Sequence, residues 1–162
     1  MKDNNNLYQS FNVLTLNDCF CYNQKAEYFT GEDRNFCNIC NLYFDSIFNS
    51  KIYSSPNILI LIFDRGIEDI CNIKVYFTET IDVTQFVIFK EYPKIIYNLY
   101  GVITEINKNS PNHSFVASCK SPVDNKWYRY NDALVTPISD VQKEVIDFDT
   151  PYILFYQKII NK

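Results

Sequence analysis

The stretch that decides the fold lies in the last third of the chain. It reads Tyr97-Asn98-Leu99-Tyr100-Gly101-Val102-Ile103, then His113, then Phe115-Val116-Ala117-Ser118-Cys119-Lys120, then Trp127-Tyr128-Arg129-Tyr130-Asn131-Asp132. Three runs rich in aromatic and β-branched residues, separated by short polar segments, predict consecutive strands. His113 is the single histidine of the chain and stands just before the second run, while Asn131 and Asp132 close the third. An imidazole and a side-chain acceptor on neighbouring strands are the base and the orienting group that a nucleophilic hydrolase requires. Read on their own, a lone histidine at a loop-to-strand junction is most often a surface residue, and Asn131-Asp132 is a turn after a strand.

The same strand pattern extends outward. Tyr97 to Ile106 is a long β-rich run, Ile153 to Tyr156 is a short one, and Ile73, Val75 and Phe77 alternate with Lys74 and Tyr76. Ile58 to Phe63 is apolar at every position, which predicts a central strand buried on both faces. Helix is sparse. Leu14 to Lys25 suits a short helix capped by Thr15 or Asn17, with Leu16, Phe20 and Gln24 on one face. Asp140 to Ile146 suits a helical turn, and Gly31-Glu32-Asp33 a tight turn. The pattern is that of an α+β protein with a largely antiparallel sheet. Residues 1–13, polar and rich in asparagine, are expected to fray, and 14–162 to form one folded portion.

Composition narrows the function classes. The 162 residues are 47% apolar and 17% aromatic, ample material for a core. A net charge of −4 argues against nucleic acid, whose phosphates need a basic face, and leaves a basic protein partner open. The polar start Met1-Lys2-Asp3-Asn4-Asn5-Asn6 is no secretory signal, and the run Ile58 to Phe63 is far too short to span a membrane. Six cysteines without a secretory address point to a reducing compartment, cytoplasm or nucleus, and to thiols or metal ligands rather than disulfides. Cys37-Asn38-Ile39-Cys40 is a two-thiol knuckle, half of a tetrahedral zinc site. Cys19 and Cys21 are the local candidates to complete it, whereas Cys71 and Cys119 sit in apolar runs and read as core.

Taken in order, these segments resemble the ubiquitin-specific proteases, the papain-like deubiquitinases. Leu16-Asn17-Asp18-Cys19 followed by Glu27-Tyr28-Phe29-Thr30-Gly31 looks like the family's fingers-to-palm segment, and Cys37 to Cys40 resembles its second zinc knuckle. Pro56 to Arg65 is similar to the palm strand that follows. Trp127 to Asp132 is similar to the end of the histidine box, and Pro151 to Tyr156 to the terminal strand. The resemblance covers about residues 14 to 158. It implies a papain-like cysteine protease fold: a mainly antiparallel palm sheet with partial fingers. It also implies thiol-dependent hydrolysis at the C-terminal glycine of ubiquitin, with ubiquitin or ubiquitinated proteins as partners. In that reading His113 is the acid/base, Asn131 its orienting group and Asp132 a neighbouring acid. No cofactor is implied for catalysis, and Cys37 and Cys40 are a structural zinc half-site expected to be empty.

The departures from the family pattern matter equally. The Gly-rich Cys box is absent, and with it the helical lobe that carries the nucleophile. Asn17-Asp18-Cys19-Phe20 imitates the box, but no glycine precedes it, so Cys19 reads as a structural cysteine on a short helix. Glu105 and Asn107 stand where the family carries His and Gly. Counting forward from Tyr97, His113 takes the catalytic position; counting back from Phe115-Val116-Ala117, Ser114 takes it. A one-residue shift on a strand turns a side chain to the opposite face unless a bulge absorbs it. The chain is therefore expected to be inactive alone. It is either the C-terminal part of a deubiquitinase domain or a truncated, decayed copy that serves as a ubiquitin-binding or scaffold module.

Overall fold

A computed structural model describes residues 13–64, 74–107, 114–148 and 150–160. Strand β1 (Val13–Thr15) runs directly into helix α1 (Leu16–Asn23). Thr15 is the cap. Its hydroxyl oxygen accepts from the Asp18 amide at 3.2 Å, and the Asp18 carboxylate accepts from the Thr15 amide at 2.9 Å and from its hydroxyl at 2.6 Å. This reciprocal box satisfies helix-end donors, and the Thr15 hydrogen bonds hold the Asp18 carboxyl below the usual carboxylate range. The helix is shorter than its sequence pattern suggests because Leu14 is drawn into a parallel pair with Val75, and Gln24 forms the C-terminal cap. Leu16 is buried, Phe20 stacks on Phe86 at 4.9 Å, and the Gln24 side chain donates to the Phe86 carbonyl at 2.8 Å.

Two nested hairpin ladders follow. Strand β2 (Glu27–Phe29) leads through a 3₁₀ turn at Gly31–Asp33 to β3 (Asn35–Cys37), then β4 (Leu42–Phe44) and β5 (Ser46–Phe48). β3 pairs antiparallel with β4, and β2 with β5. The turn opens on Gly31 at φ 63°, a left-handed conformation that glycine adopts without steric cost. Tyr28, Ile39, Leu42, Tyr43, Ile47 and Phe48 all remain exposed.

The remaining strands are β6 (Ile52–Ser54), β7 (Ile58–Ile62), β8 (Lys74–Tyr76), β9 (Thr80–Asp82), β10 (Val87–Phe89), β11 (Ile96–Ile106), β12 (Ser114–Lys120), β13 (Trp127–Asn131), β14 (Leu134–Pro137) and β15 (Pro151–Lys158). A π-helical turn at Gln142–Ile146 precedes β15, where the sequence pattern placed a helical turn. Seven strands form the main sheet in the order β14-β13-β12-β11-β15-β7, with β9 joined to the start of β11. Every pairing in it is antiparallel. One face carries Leu154 and Tyr156, both fully buried, together with Val102 and Leu99. Leu16, Phe77, Val83, Phe86, Val145 and Ile146 pack over this face. Burying an aliphatic or aromatic side chain of this size contributes about 1.5–3 kcal/mol.

One expectation is corrected here. The apolar run at Ile58 to Phe63 is not a central strand buried on both faces. Among the described residues β7 pairs only with β15 and ends the sheet. Leu59 and Leu61 lie opposite Tyr156 and Leu154 and are half-buried, whereas Ile58, Ile60 and Ile62 are exposed. A continuous apolar run reports hydrophobicity on both faces of a strand, not whether a layer is present to cover each face.

Candidate functional site

The site forms where β12 and β13 run side by side. Ala117 pairs with Tyr130, Ser118 with Arg129, Cys119 with Tyr128 and Lys120 with Trp127. Side chains alternate across a strand and directly paired residues share a face. Trp127, Arg129 and Asn131 therefore share one face with Ser118, Val116 and Ser114. Trp127, Val116 and Ser118 are buried on that face, so it is continuous with the core. Trp127 is fixed further by the Ile138 amide, which donates to its carbonyl at 2.9 Å. Asn131 and Asp132 reach beyond the core and are exposed. Asn131 pairs with Leu134 across a two-residue turn that opens on Asp132 at φ 51°. Asp132 is thus a turn residue next to the strand end rather than a second strand side chain, and aspartate is among the residues that tolerate this left-handed region.

His113 lies outside the described residues, as does Cys71. Ser114, its neighbour, opens β12 opposite Ile106 and is half-buried on the face of Asn131. Glu105 is the partner of Phe115, so both lie on the opposite face of the sheet. Tyr128 and Tyr130 share that opposite face. There Tyr128 donates its phenol to Asp124 at 2.7 Å, and that bond, with donors from Ser121 and the Lys126 amide, lowers the Asp124 carboxyl to about 2. Asp124 raises the Tyr128 phenol in turn. This pair is separated from Asn131 by the sheet itself.

Among the thiols, Cys19 sits in the middle of α1, half-buried against the core, and Cys21 is exposed. Cys119 is half-buried and its burial pushes the thiol up. Cys37 ends β3 and Cys40 lies in the turn that follows, closed by the Asn41 amide donating to the Cys37 carbonyl at 2.8 Å with Asn41 at φ 56°. The Cys37 thiol is lowered, first by the Cys40 amide, then by the Ile39 amide and the Cys40 thiol. Amides aimed at one sulfur make this turn suited to a thiolate ligand, but two sulfurs are half of the four-ligand set that structural zinc takes. Among the described residues no group of three or more His, Cys, Asp or Glu side chains gathers to hold a metal. In the structure Cys19 and Cys21 lie on α1 and are not gathered with Cys37 and Cys40.

The sequence reading passed over Arg129. Its guanidinium lies 3.9 Å above the Phe148 ring, and Nη2 donates to the Glu144 carbonyl. The only sequence signal was its place between Trp127 and Asn131 in the alternation, since Glu144 and Phe148 belong to a segment beyond the hairpin.

Known proteins agree with this architecture. A sequence profile of the family Ubiquitin carboxyl-terminal hydrolase matches residues 1–156. The chain belongs to this family of ubiquitin-specific deubiquitinase domains. It is 28% identical over 151 residues to ubiquitin carboxyl-terminal hydrolase 12 of Saccharomyces cerevisiae, covering 89% of this chain and 12% of that protein. It is 30% identical over 149 residues to ubiquitin carboxyl-terminal hydrolase 16 of Arabidopsis thaliana, covering 90% and 14%. Against ubiquitin carboxyl-terminal hydrolase 2 of Gallus gallus it is 26% identical over 155 residues, covering 92% and 42%. The chain thus spans less than half the length of these relatives. Among solved structures it is similar to the SAGA Ubp8/Sgf11/Sus1/Sgf73 DUB module bound to ubiquitin aldehyde. That match has a TM-score of 0.67 and 25% identity, and covers 93% of this chain and 36% of that one. A structure of yeast SAGA DUBm shares the fold with a TM-score of 0.69 at 24% identity, covering 93% and 35%.

Proposed function

We propose that this chain is the palm-and-fingers portion of a papain-like deubiquitinase domain, with the cysteine nucleophile supplied from outside these 162 residues. The observation that supports this best is the position of Asn131, at the end of a strand whose face is shared with the start of β12. In the proposed reaction a thiolate attacks the carbonyl carbon of the C-terminal glycine of ubiquitin, and the C=O electron pair moves onto oxygen. On collapse the bond to the lysine amine breaks, and His113 as imidazolium gives its proton to that leaving amine. Water, deprotonated by the same imidazole, then cleaves the thioester. Asn131 holds the imidazole in the productive tautomer and Asp132 adds negative charge beside it. Ubiquitin is the proposed partner, in keeping with the ubiquitin aldehyde on the similar module. The proposed setting is the cytoplasm or nucleus, and no helix among the described residues is long and apolar enough to cross a membrane.

Cys37 and Cys40 are proposed as half of a structural zinc site. They play no part in the chemical step. Metal analysis of the reduced chain is expected to find far less than one zinc per molecule, and tight stoichiometric zinc would refute this.

A second reading, a ubiquitin-binding module without turnover, draws on one observation: the residue of β12 that shares the Asn131 face at its open end is Ser114. The test is a two-step assay with a ubiquitin–amide reporter. The chain alone is expected to be silent, because losing a nucleophile costs on the order of 10⁶ in rate in a serine-protease example. Supplying a segment with the family's Cys box is expected to bring turnover that His113→Ala abolishes. Silence in both steps with ubiquitin binding intact selects the second reading, and absence of binding sinks both.

A further inference from the structure

We propose that Arg129 is the positioning residue for Asn131, locking the end of β13 to the π-helical turn at Gln142–Ile146. The inference rests on the reading of Asn131 as the orienting group.

The end of β13 has few restraints of its own. Its pairs with β12 stop at Tyr130, and its other neighbour, β14, is exposed along its whole length and ends the sheet. Asn131 therefore lies on a projecting hairpin. Two side chains on the Asn131 face tie β13 to the body of the protein: Trp127 and Arg129. Trp127 is buried in the core four residues back. Arg129 is the nearer anchor, two residues back.

What Arg129 holds is itself fixed. The Glu144 carbonyl takes the Nη2 hydrogen bond, and the guanidinium carbon lies over the Phe148 ring, 3.9 Å from its centroid. The Glu144 carboxylate folds back to accept from the Ser139 amide, the Ser139 hydroxyl and the Asp140 amide, each at 3.0 Å. Those donors, the Asp140 amide foremost, lower its carboxyl, with the Arg129 charge adding a smaller share. Val145 and Ile146, next along the turn, are buried in the core. The chain of contacts thus runs from core to turn to Arg129 to the strand end. Arg129 Nε is buried with no hydrogen-bond partner among the described residues, so the guanidinium is placed by its contact with Phe148 and its hydrogen bond to Glu144 rather than by satisfying every donor. A planar, stacked guanidinium resists rotation in a way that a lysine ammonium does not. An orienting amide must stay within hydrogen-bond reach of its imidazole, and side chains that set such geometry need support from the layer behind them.

The experiment follows the Asn131 side-chain amide and the Trp127 indole N–H together by NMR in the 15N-labelled full chain. Arg129→Met keeps an unbranched apolar side chain and removes the guanidinium with its contact to Phe148 and its hydrogen bond to Glu144. It is expected to shift or broaden the Asn131 amide pair and to speed amide exchange at Leu134 by about tenfold, leaving the Trp127 indole in place. An Asn131 pair that does not move overturns the proposal. Should Arg129→Met not fold, Arg129→Lys is read in the same way. Loss of folding in both makes Arg129 a stability residue and also overturns it. In the two-part assay, Arg129→Met is expected to lower kcat about tenfold at unchanged KM. That loss should vanish in an Asn131→Ala background, whereas additive losses count against the coupling. If the two-part assay shows no turnover at all, the catalytic reading of Asn131 fails, while the Asn131 amide pair still decides whether Arg129 fixes its position.

Discussion

The finger hairpins and the main sheet are built from the same residue types and pair in the same antiparallel manner, yet they differ in what covers them. In the fingers, Tyr28 is 68% exposed and Phe48 57%. In the sheet, Tyr97 and Tyr156 are both at 0%. The sheet has a second layer over one face, made by α1, the Val83–Val87 segment and the turn that buries Val145 and Ile146. The fingers are two-stranded ladders with no such layer among the described residues. Backbone pairing alone leaves a two-stranded hairpin marginal in water, and burial of side chains is what makes a sheet stable. Aromatic content is therefore no guide to burial in this chain.

The comparison breaks most readily at Leu154, which is fully buried. Leu154→Ala is expected to cost about 2–5 kcal/mol in urea unfolding, whereas Tyr28→Ala in the fingers is expected to stay within about 0.5 kcal/mol. Equal losses would show that the fingers carry hidden burial. The next effect belongs to the helix that covers the sheet. Thr15→Ala removes one half of the capping box and is expected to cost about 1 kcal/mol, read as a lower urea midpoint at unchanged slope.

Hydrogen exchange sharpens the contrast further. Amides of Phe36 and Tyr43 in the finger ladder are expected to exchange at least about a hundredfold faster than those of Val102 and Leu154, because locally opened states cost little where nothing is buried. Similar protection in both regions would mean that the fingers and sheet unfold as one unit. The smallest effect concerns Asp124. Its folded carboxyl lies at about 2, below its ordinary value, so its contribution is present above the ordinary value and is lost as pH falls through about 2. Asp124→Asn is expected to flatten the melting temperature between pH about 4 and about 2. Because the group is exposed the change is slight, and an unchanged slope in that window would show that the Tyr128 bond does not persist in solution.

Much of the site was legible because its signals are local. The alternation of Trp127, Arg129 and Asn131 and the run Phe115 to Cys119 specify strands whatever surrounds them, and the order of these segments carried the family resemblance. Thr15, one of the two cap candidates, does cap α1, whereas the box it forms with Asp18 appears only in the structure. The reading of Asn131-Asp132 as a turn after a strand is what the structure shows, since the strand ends on Asn131 and the turn opens on Asp132.

By itself, then, the sequence determined that the runs around Ile58 to Phe63, Tyr97 to Ile106, Phe115 to Cys119, Trp127 to Tyr130 and Ile153 to Tyr156 are strands, that a short helix lies between Leu14 and Lys25, and which family the order of these segments resembles. These are properties of residue type and spacing over a few positions. Only the tertiary structure decided that β7 is an edge strand with Ile58, Ile60 and Ile62 exposed. It alone decided that Ser114 shares the face of Asn131, and that Arg129 meets Glu144 and Phe148 across the hairpin. Each of these depends on register and on which layer covers which face, and such contacts join residues far apart in the chain. Their free energy comes from burial and geometry that no local pattern encodes.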